Sequence, residues 1–210
     1  MLNATFFIKF TSCIIYKVYK MKNLLRLLII SIAFIGFNQT AEASHMAAAE
    51  ITYTHLGGNQ YKVFISVYRD CKPGTATFTN TTLSVGYRSS CHNGGNFTAN
   101  RVGIAGAQVP ASCILNSNAC TEEYKFEGTV TLPTTCHDWR FEWSLCCRPV
   151  NNNVQGGTMY VYALLNNKDV TFNNSPKWNN NVTVQDFCVG KKQFFDQSTT
   201  EVDGDSVVYK

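Results

Sequence analysis

The chain has 210 residues, long enough to bury a real hydrophobic core, and carries a formal net charge of +4. Five of its 18 basic residues (Lys9, Lys17, Lys20, Lys22 and Arg26) and one of its 14 acidic residues (Glu42) fall in the first 43 positions, so 13 of each sign remain beyond them. That balance excludes the basic electrostatic footprint of a nucleic-acid-binding protein.

From Met21 the sequence "MKNLLRLLIISIAFIGFNQTAEASHM" runs from a basic start through an apolar stretch, Leu27 to Phe37, to Ala41-Glu42-Ala43. This is the pattern of a secretory signal with an A-x-A cleavage site, and it predicts a mature start at Ser44. The apolar stretch is too short for an ordinary membrane span, so the leader is expected in the membrane only transiently. Residues 1–20 precede this second initiator without adding a recognisable element, and translation is expected to begin at Met21. The alternative is a two-part hydrophobic anchor that is retained.

After the leader, helical spacing of apolar residues is almost absent, and short windows rich in Val, Ile, Thr, Tyr and Phe alternate at period two. "EITYTHL" (50–56), Gly57-Gly58-Asn59 and "QYKVFISVYRD" (60–70) read as strand, turn and strand. Tyr61, Val63, Ile65 and Val67 fall on one face of the second strand, and Lys62, Phe64, Ser66 and Tyr68 on the other. Further strands are predicted at 76–87, 122–132, 138–147, 157–165, 181–188 and 205–210. The intervening "SSCHNGGNFTAN", "ASCILNSNAC" and "RPVNNNVQGG" read as loops, because Asn and Gly accept left-handed backbone and Asn bonds to nearby main chain. The expected fold is all-β, a disulfide-reinforced antiparallel sandwich of Ig-like or jelly-roll-like form, with a closed barrel as the alternative.

Of nine cysteines, Cys13 falls in the leader. The remaining eight, Cys71, Cys91, Cys113, Cys120, Cys136, Cys146, Cys147 and Cys188, form an even set in a chain predicted to be exported. They read as a disulfide framework with 105 conceivable pairings. In "DWRFEWSLCC" side-chain alternation sends Trp139, Phe141, Trp143, Leu145 and Cys147 to one face and Arg140, Glu142, Ser144 and Cys146 to the other. Neighbours on opposite faces cannot meet the geometry of an S–S bond, so Cys146 and Cys147 are expected to join different partners. The spacing contains no C-x2-C or C-x4-C pair for zinc and no C-x-x-C opening a helix for redox work.

Other chemistry is weaker. Cys136-His137-Asp138 sets a thiol beside a base, but strand neighbours seldom point together, and a structural Cys beside a surface His is the simpler reading. Glu122, Glu123 and Glu127 offer carboxylates for a hydrolase pair, and the wet face of a strand accounts for them equally. No catalytic residue is assigned. In "EVDGDSVVYK", Asp203 and Asp205 flank Gly204, which suits either weak calcium ligands or a plain Asp-Gly turn. No other metal or cofactor is expected. Trp178, in the polar run "NNSPKWNNN", is a candidate exposed ligand contact.

"ASHMAAAEITYTHLGGNQYKVFISVYRDC" resembles the start of the mature region in large secreted surface proteins of Bacteroidetes. "WSLCCRPVNNN" is similar to that family's "CCRN" segment, "YVYALLNN" to its "Y.EA.LNN" strand, and "NNSPKWNN…FCVGKKQFFDQSTTEVDGDSVVYK" to its "NSSP…CVNQ…DPDGDSLVY" passage. The family's Gly-Gly before "EITY" is Ala48-Ala49 here, and the Asn after "CCR" is Pro149. The resemblance spans residues 43–210. It implies a region preceding PKD or other Ig-like sandwiches and a type IX sorting domain, of the kind called gliding-motility-associated.

On this reading the chain comprises a leader (1–43), a disulfide-rich β domain (44–172), and a linker with the truncated start of a following Ig/PKD-like β domain (173–210). The function expected is a non-catalytic, secreted or cell-surface module whose partners are other surface proteins or extracellular glycans. A secreted carbohydrate-binding or carbohydrate-active protein is the alternative.

Overall fold

The computed structural model describes Lys22, Asn23, Arg26 and residues 45–109, 120–148, 156–179, 190–194 and 196–209, the side chain of Cys147 excepted. The cleavage site, the predicted strand 181–188, Cys113 and Cys188 lie outside these residues. Two compact units divide the chain, Met1–Glu42 and Ala43–Lys210.

The second unit is all-β. Seven strands, β1 (Met46–Gly57), β2 (Gln60–Asp70), β3 (Thr82–Ser89), β4 (His92–Gln108), β5 (Thr121–Thr131), β6 (Trp139–Arg148) and β7 (Gly157–Leu165), form one antiparallel sheet in the order β1-β2-β5-β4-β3-β6-β7. A separate ribbon pairs β8 (Lys177–Trp178) with β9 (Thr199–Thr200). The long sheet curls until its ends approach, so that β1 and β2 face β6 across a shared core. Tyr53 of β1 packs edge-on against Phe141 of β6 at 5.6 Å between ring centroids, and its hydroxyl donates to the Leu164 carbonyl of β7 at 2.9 Å.

Alternation builds that core. Tyr61, Val63, Ile65 and Val67 of β2 are buried together, as are Trp139, Phe141 and Trp143 of β6, while Val85, Ala99 and Phe126 fill the space between. Each large side chain so buried contributes on the order of 1.5–3 kcal/mol. The Gly57-Gly58-Asn59 turn forms as expected, and the Asn59 carbonyl accepts Leu132 N–H at 2.9 Å.

Three sequence expectations need correction. The stretch read as a Gly/Asn loop contains the longest strand, β4. Its inward positions are carried by Phe97 and Ala99, and its glycines fit places where backbones crowd: at Gly94, φ is +74° and an added Cβ would lie 1.7 Å from the Tyr87 carbonyl oxygen. The strand predicted from 76 starts at Thr82, because Arg69 draws the preceding segment aside by binding the carbonyls of Thr75 (3.1 Å) and Ala76 (2.5 Å). Residues 205–209 are not a strand; they have no ladder partner among the described residues, and Val207 and Val208 are exposed.

Two disulfides between described residues brace the sheet. Cys71 joins Cys120 (Cα–Cα 5.0 Å) and Cys91 joins Cys136 (Cα–Cα 6.3 Å), across sequence separations of 49 and 45 residues. Bridges over loops this long restrict the unfolded chain strongly. Replacing Cys71 and Cys120 together by serine is expected to lower stability in urea unfolding by about 2–5 kcal/mol. Gly94→Ala should disrupt the β3–β4 hairpin, seen as lost amide-exchange protection from Thr82 to Asn100. Gly103→Ala is the comparison, because Gly103 has φ +72° but open space around its Cβ position. It should cost only the strain of a left-handed residue, about 1–2 kcal/mol.

Candidate functional site

The residues singled out in the sequence scatter to different parts of the molecule. Cys71, Cys91, Cys120 and Cys136 are in the two bridges above. Cys146 is exposed on the outer face of β6 and is also disulfide-bonded. The alternation expected in β6 holds for every side chain described there: Trp139, Phe141 and Trp143 point inward, and Ser144 and Cys146 are exposed. With Cys136 oxidised and His137 Nδ1 turned to Asp169 Oδ2 at 2.9 Å, the Cys-His-Asp run assembles no nucleophile and base. Each of the three glutamates of β5 has a cation partner: Glu122 with Arg69 (2.5 Å), Glu123 with Lys125 (3.2 Å) and Glu127 with Lys62 (3.0 Å).

Asp203 and Asp205 come together with Glu201, which the sequence reading did not include, and one ligand oxygen from each lies within 4.8 Å of the others. Half of their six carboxylate oxygens accept hydrogen bonds. Glu201 Oε2 accepts the backbone N–H of Asp203 (2.9 Å) and of Asp205 (2.8 Å). Asp203 accepts from Asn174, through its backbone N–H at 2.5 Å and its side-chain amide at 2.6 Å. The cluster therefore acts as a clasp. Asn174 Oδ1 in turn accepts the His55 N–H at 2.8 Å, and Ser175 accepts the Tyr53 N–H on its hydroxyl, also at 2.8 Å, which ties this turn to the edge of β1. Trp178 is 42% exposed beside Tyr209, at 6.3 Å between ring centroids.

A more organised constellation occupies the outer face of β3, β4, β6 and β7. Strand register sets Asn96, Gly86, Glu142 and Tyr162 in one row across the sheet. Arg88, Arg140 and Leu164 form the next row. Opposite Ser144 stands Tyr160. A pocket of about 200 Å³ opens here, lined by Ser84, Gly86, Arg88, Asn96, Glu142 and Tyr160 among others. Gly86 forms its floor: an added Cβ would stand 3.1 Å from Glu142 Cγ and 3.4 Å from Asn96 Oδ1.

Glu142 is the hub. Its carboxylate is ion-paired with Arg88 through Oε1 and accepts the Tyr160 hydroxyl on Oε2 at 2.5 Å. Partial burial alone would raise its pKa. Hydrogen bonds from Arg88 and Tyr160, with the charges of Arg88 and Arg140, outweigh that and hold it below the usual carboxylate range. Arg88 is raised in turn, chiefly by its bond to Glu142. The Arg140 guanidinium lies over the Tyr162 ring at 5.0 Å, and the Tyr160 and Tyr162 rings stand 5.7 Å apart.

No family model, no curated protein and no solved structure matches the chain. The site is thus read from its own chemistry: an anion held ionised among two guanidiniums, flanked by two exposed phenol rings. Sequence reasoning placed Arg140, Glu142 and Ser144 on an outer face but did not assemble the site. The available signal was the pair Tyr160 and Tyr162 at i and i+2 on the wet side of "YVYALL".

A carboxylate with a depressed folded pKa adds stability above its unfolded pKa and loses it as pH falls through the folded value. The Arg88–Glu142–Tyr160 contacts should therefore persist at neutral pH and release only below the ordinary carboxylate range. Tyrosine side-chain NMR shifts during an acid titration should report this step, and Glu142→Gln should abolish it.

Proposed function

We propose that the chain is a non-catalytic extracellular module with a structural, adhesion or interaction role, exported by its leader and belonging to a surface protein of the Bacteroidetes type that its motifs resemble. The observation that carries this reading is the disulfide framework. Cys71–Cys120 and Cys91–Cys136 close long loops in an all-β unit, and Cys146 is oxidised as well, a usage suited to an oxidising compartment.

The motifs behind the resemblance also occupy structurally coupled positions. In "YRDC", Tyr68 donates to Glu123 (3.2 Å), Arg69 pairs with Glu122 (2.5 Å) and Cys71 is bridged. "EITYTH", "NNSP" and "DGDS" meet through Tyr53, Asn174, Ser175 and Asp203.

Carbohydrate binding is the second reading, favoured by the polar and aromatic pocket around Glu142. Hydrolysis is less well supported there. Glycosidases pair two carboxyls, one of them kept protonated, whereas among the described residues Glu142 alone brings a carboxylate to this pocket, and it is held ionised.

The full chain, expressed with its leader in a bacterial host, should be recovered outside the cytoplasm. Its mass should correspond to a start at Ser44, with no alkylatable thiol at Cys71, Cys91, Cys120, Cys136 or Cys146. An uncleaved chain with reduced thiols in the cytoplasm would overturn the reading.

A further inference from the structure

Strand β7 turns Tyr160, Tyr162 and Leu164 outward in succession, exposed by 45%, 51% and 56%. Apolar area left in the open on a small domain is a recurrent mark of a binding surface. The surroundings narrow the chemistry of what would bind. Beside the rings stand Arg88 and Arg140, directly opposite one another in the β3–β6 pairing, with Glu142 one row away. One carboxylate against two guanidiniums leaves a positive excess. Arg88 is more than half exposed (56%), whereas its Glu142 partner is only 14% exposed, so the guanidinium stands nearer to incoming solute. Arg140 rests on one face of Tyr162, and its buried Nε has no hydrogen-bond acceptor. Asn96 and Ser84 complete the rim with groups that both donate and accept.

We infer that this face of β3, β6 and β7 is a binding site for a carbohydrate chain bearing carboxylates, a polyuronide, with a sugar ring stacked on Tyr160 and Tyr162 and its carboxylate bound by Arg88 and Arg140. Sugar rings present flat C–H faces that suit exposed phenol rings, while their hydroxyls need mixed donors and acceptors such as Asn96 and Ser84. Planar guanidiniums match a planar carboxylate with paired hydrogen bonds. Glu142 accepts a sugar hydroxyl and keeps Arg88 and Tyr160 in place. Because Glu142 stays ionised near neutrality, it serves the sugar as an acceptor and not as a proton donor to a glycosidic oxygen. Gly86 keeps the floor low, and a methyl group there would press on both Glu142 and Asn96.

This inference rests on the reading of the chain as an extracellular binding module and names its ligand class. The test uses the oxidised full chain after export, titrated calorimetrically with oligogalacturonate and with the same oligosaccharide after its carboxyls are reduced to alcohols. The expected result is binding of the acidic form, weakened at least about tenfold by carboxyl reduction, the size of one charge-assisted hydrogen bond. Tyr162→Ala should weaken binding by a similar factor and Tyr162→Phe should restore it, with cooperative melting retained in both. Trp178→Ala should bind as the parent does.

Equal affinity for acidic and reduced sugars, no binding of either, or a loss with Trp178→Ala but not with Tyr162→Ala would each overturn the inference. Release of new reducing ends would overturn binding without cleavage. An exported, fully oxidised chain that ignores both sugars fails this inference and leaves the extracellular reading standing. Reduced cytoplasmic chain fails the extracellular reading, and binding is still decided on the purified, reoxidised protein.

Discussion

Tyr53 ties the two ends of the sheet together, its ring packed in the shared core and its hydroxyl donating to the Leu164 carbonyl where β1 and β7 approach. A seven-stranded sheet has two edges, and here β1 and β7 are brought together by this side chain and not by a backbone ladder. The ring that carries the hydroxyl is part of the core, edge-on to both Tyr61 (6.0 Å) and Phe141 (5.6 Å). Burial drives the Tyr53 pKa well above its ordinary value, which keeps the hydroxyl protonated and donating at neutral pH. The same residue's backbone N–H is held by Ser175, which fastens the chain beyond β7 along the β1 edge and covers groups an exposed edge would offer to other strands.

A second constraint acts at the opposite end of β2. Arg69 is 4% exposed, a position that is costly unless every donor is used. Its Nε reaches the Ala76 carbonyl, Nη1 the Glu122 carboxylate, and Nη2 both the carbonyl and the hydroxyl of Thr75. Glu122 also accepts the Tyr124 hydroxyl at 2.8 Å. The guanidinium thus organises the loop after Cys71 in the way a small ligand would. Phe78, carried by that loop, is placed against Tyr124 at 5.1 Å and Phe126 at 6.0 Å. A buried ion pair of this kind adds little net stability over an apolar substitute, but removing one partner leaves an uncompensated charge.

The sequence was legible where hydrophobic alternation is strong. β2 and β6 declare both strand and face, because every second residue is a large apolar one, and the inward set Trp139, Phe141 and Trp143 is the set found buried. β4 was illegible for the converse reason. Asn93, Gly94, Gly95 and Asn96 carry the composition of a loop, and the glycines are there because backbone and the Tyr87 side chain approach too closely for a Cβ. The candidate site was illegible for a further reason. Asn96, Gly86, Glu142 and Tyr162 become neighbours only once β3 lies between β4 and β6, an order that no local pattern encodes. Similarly, the role of Asp203 as an anchor for Asn174 depends on a contact 29 residues away in sequence and not on the Asp-Gly-Asp turn itself.

The two disulfides interleave: Cys91 lies inside the loop closed by Cys71 and Cys120, while its own partner, Cys136, lies beyond it. In a polypeptide that crosses a membrane from its N-terminus, Cys71 and Cys91 meet the oxidant before either native partner has emerged. Oxidation in order of arrival joins these two to each other, and the native arrangement is reached only by thiolate attack on that first bond. Under the export proposed for this chain, maturation would then call on disulfide exchange as well as disulfide formation.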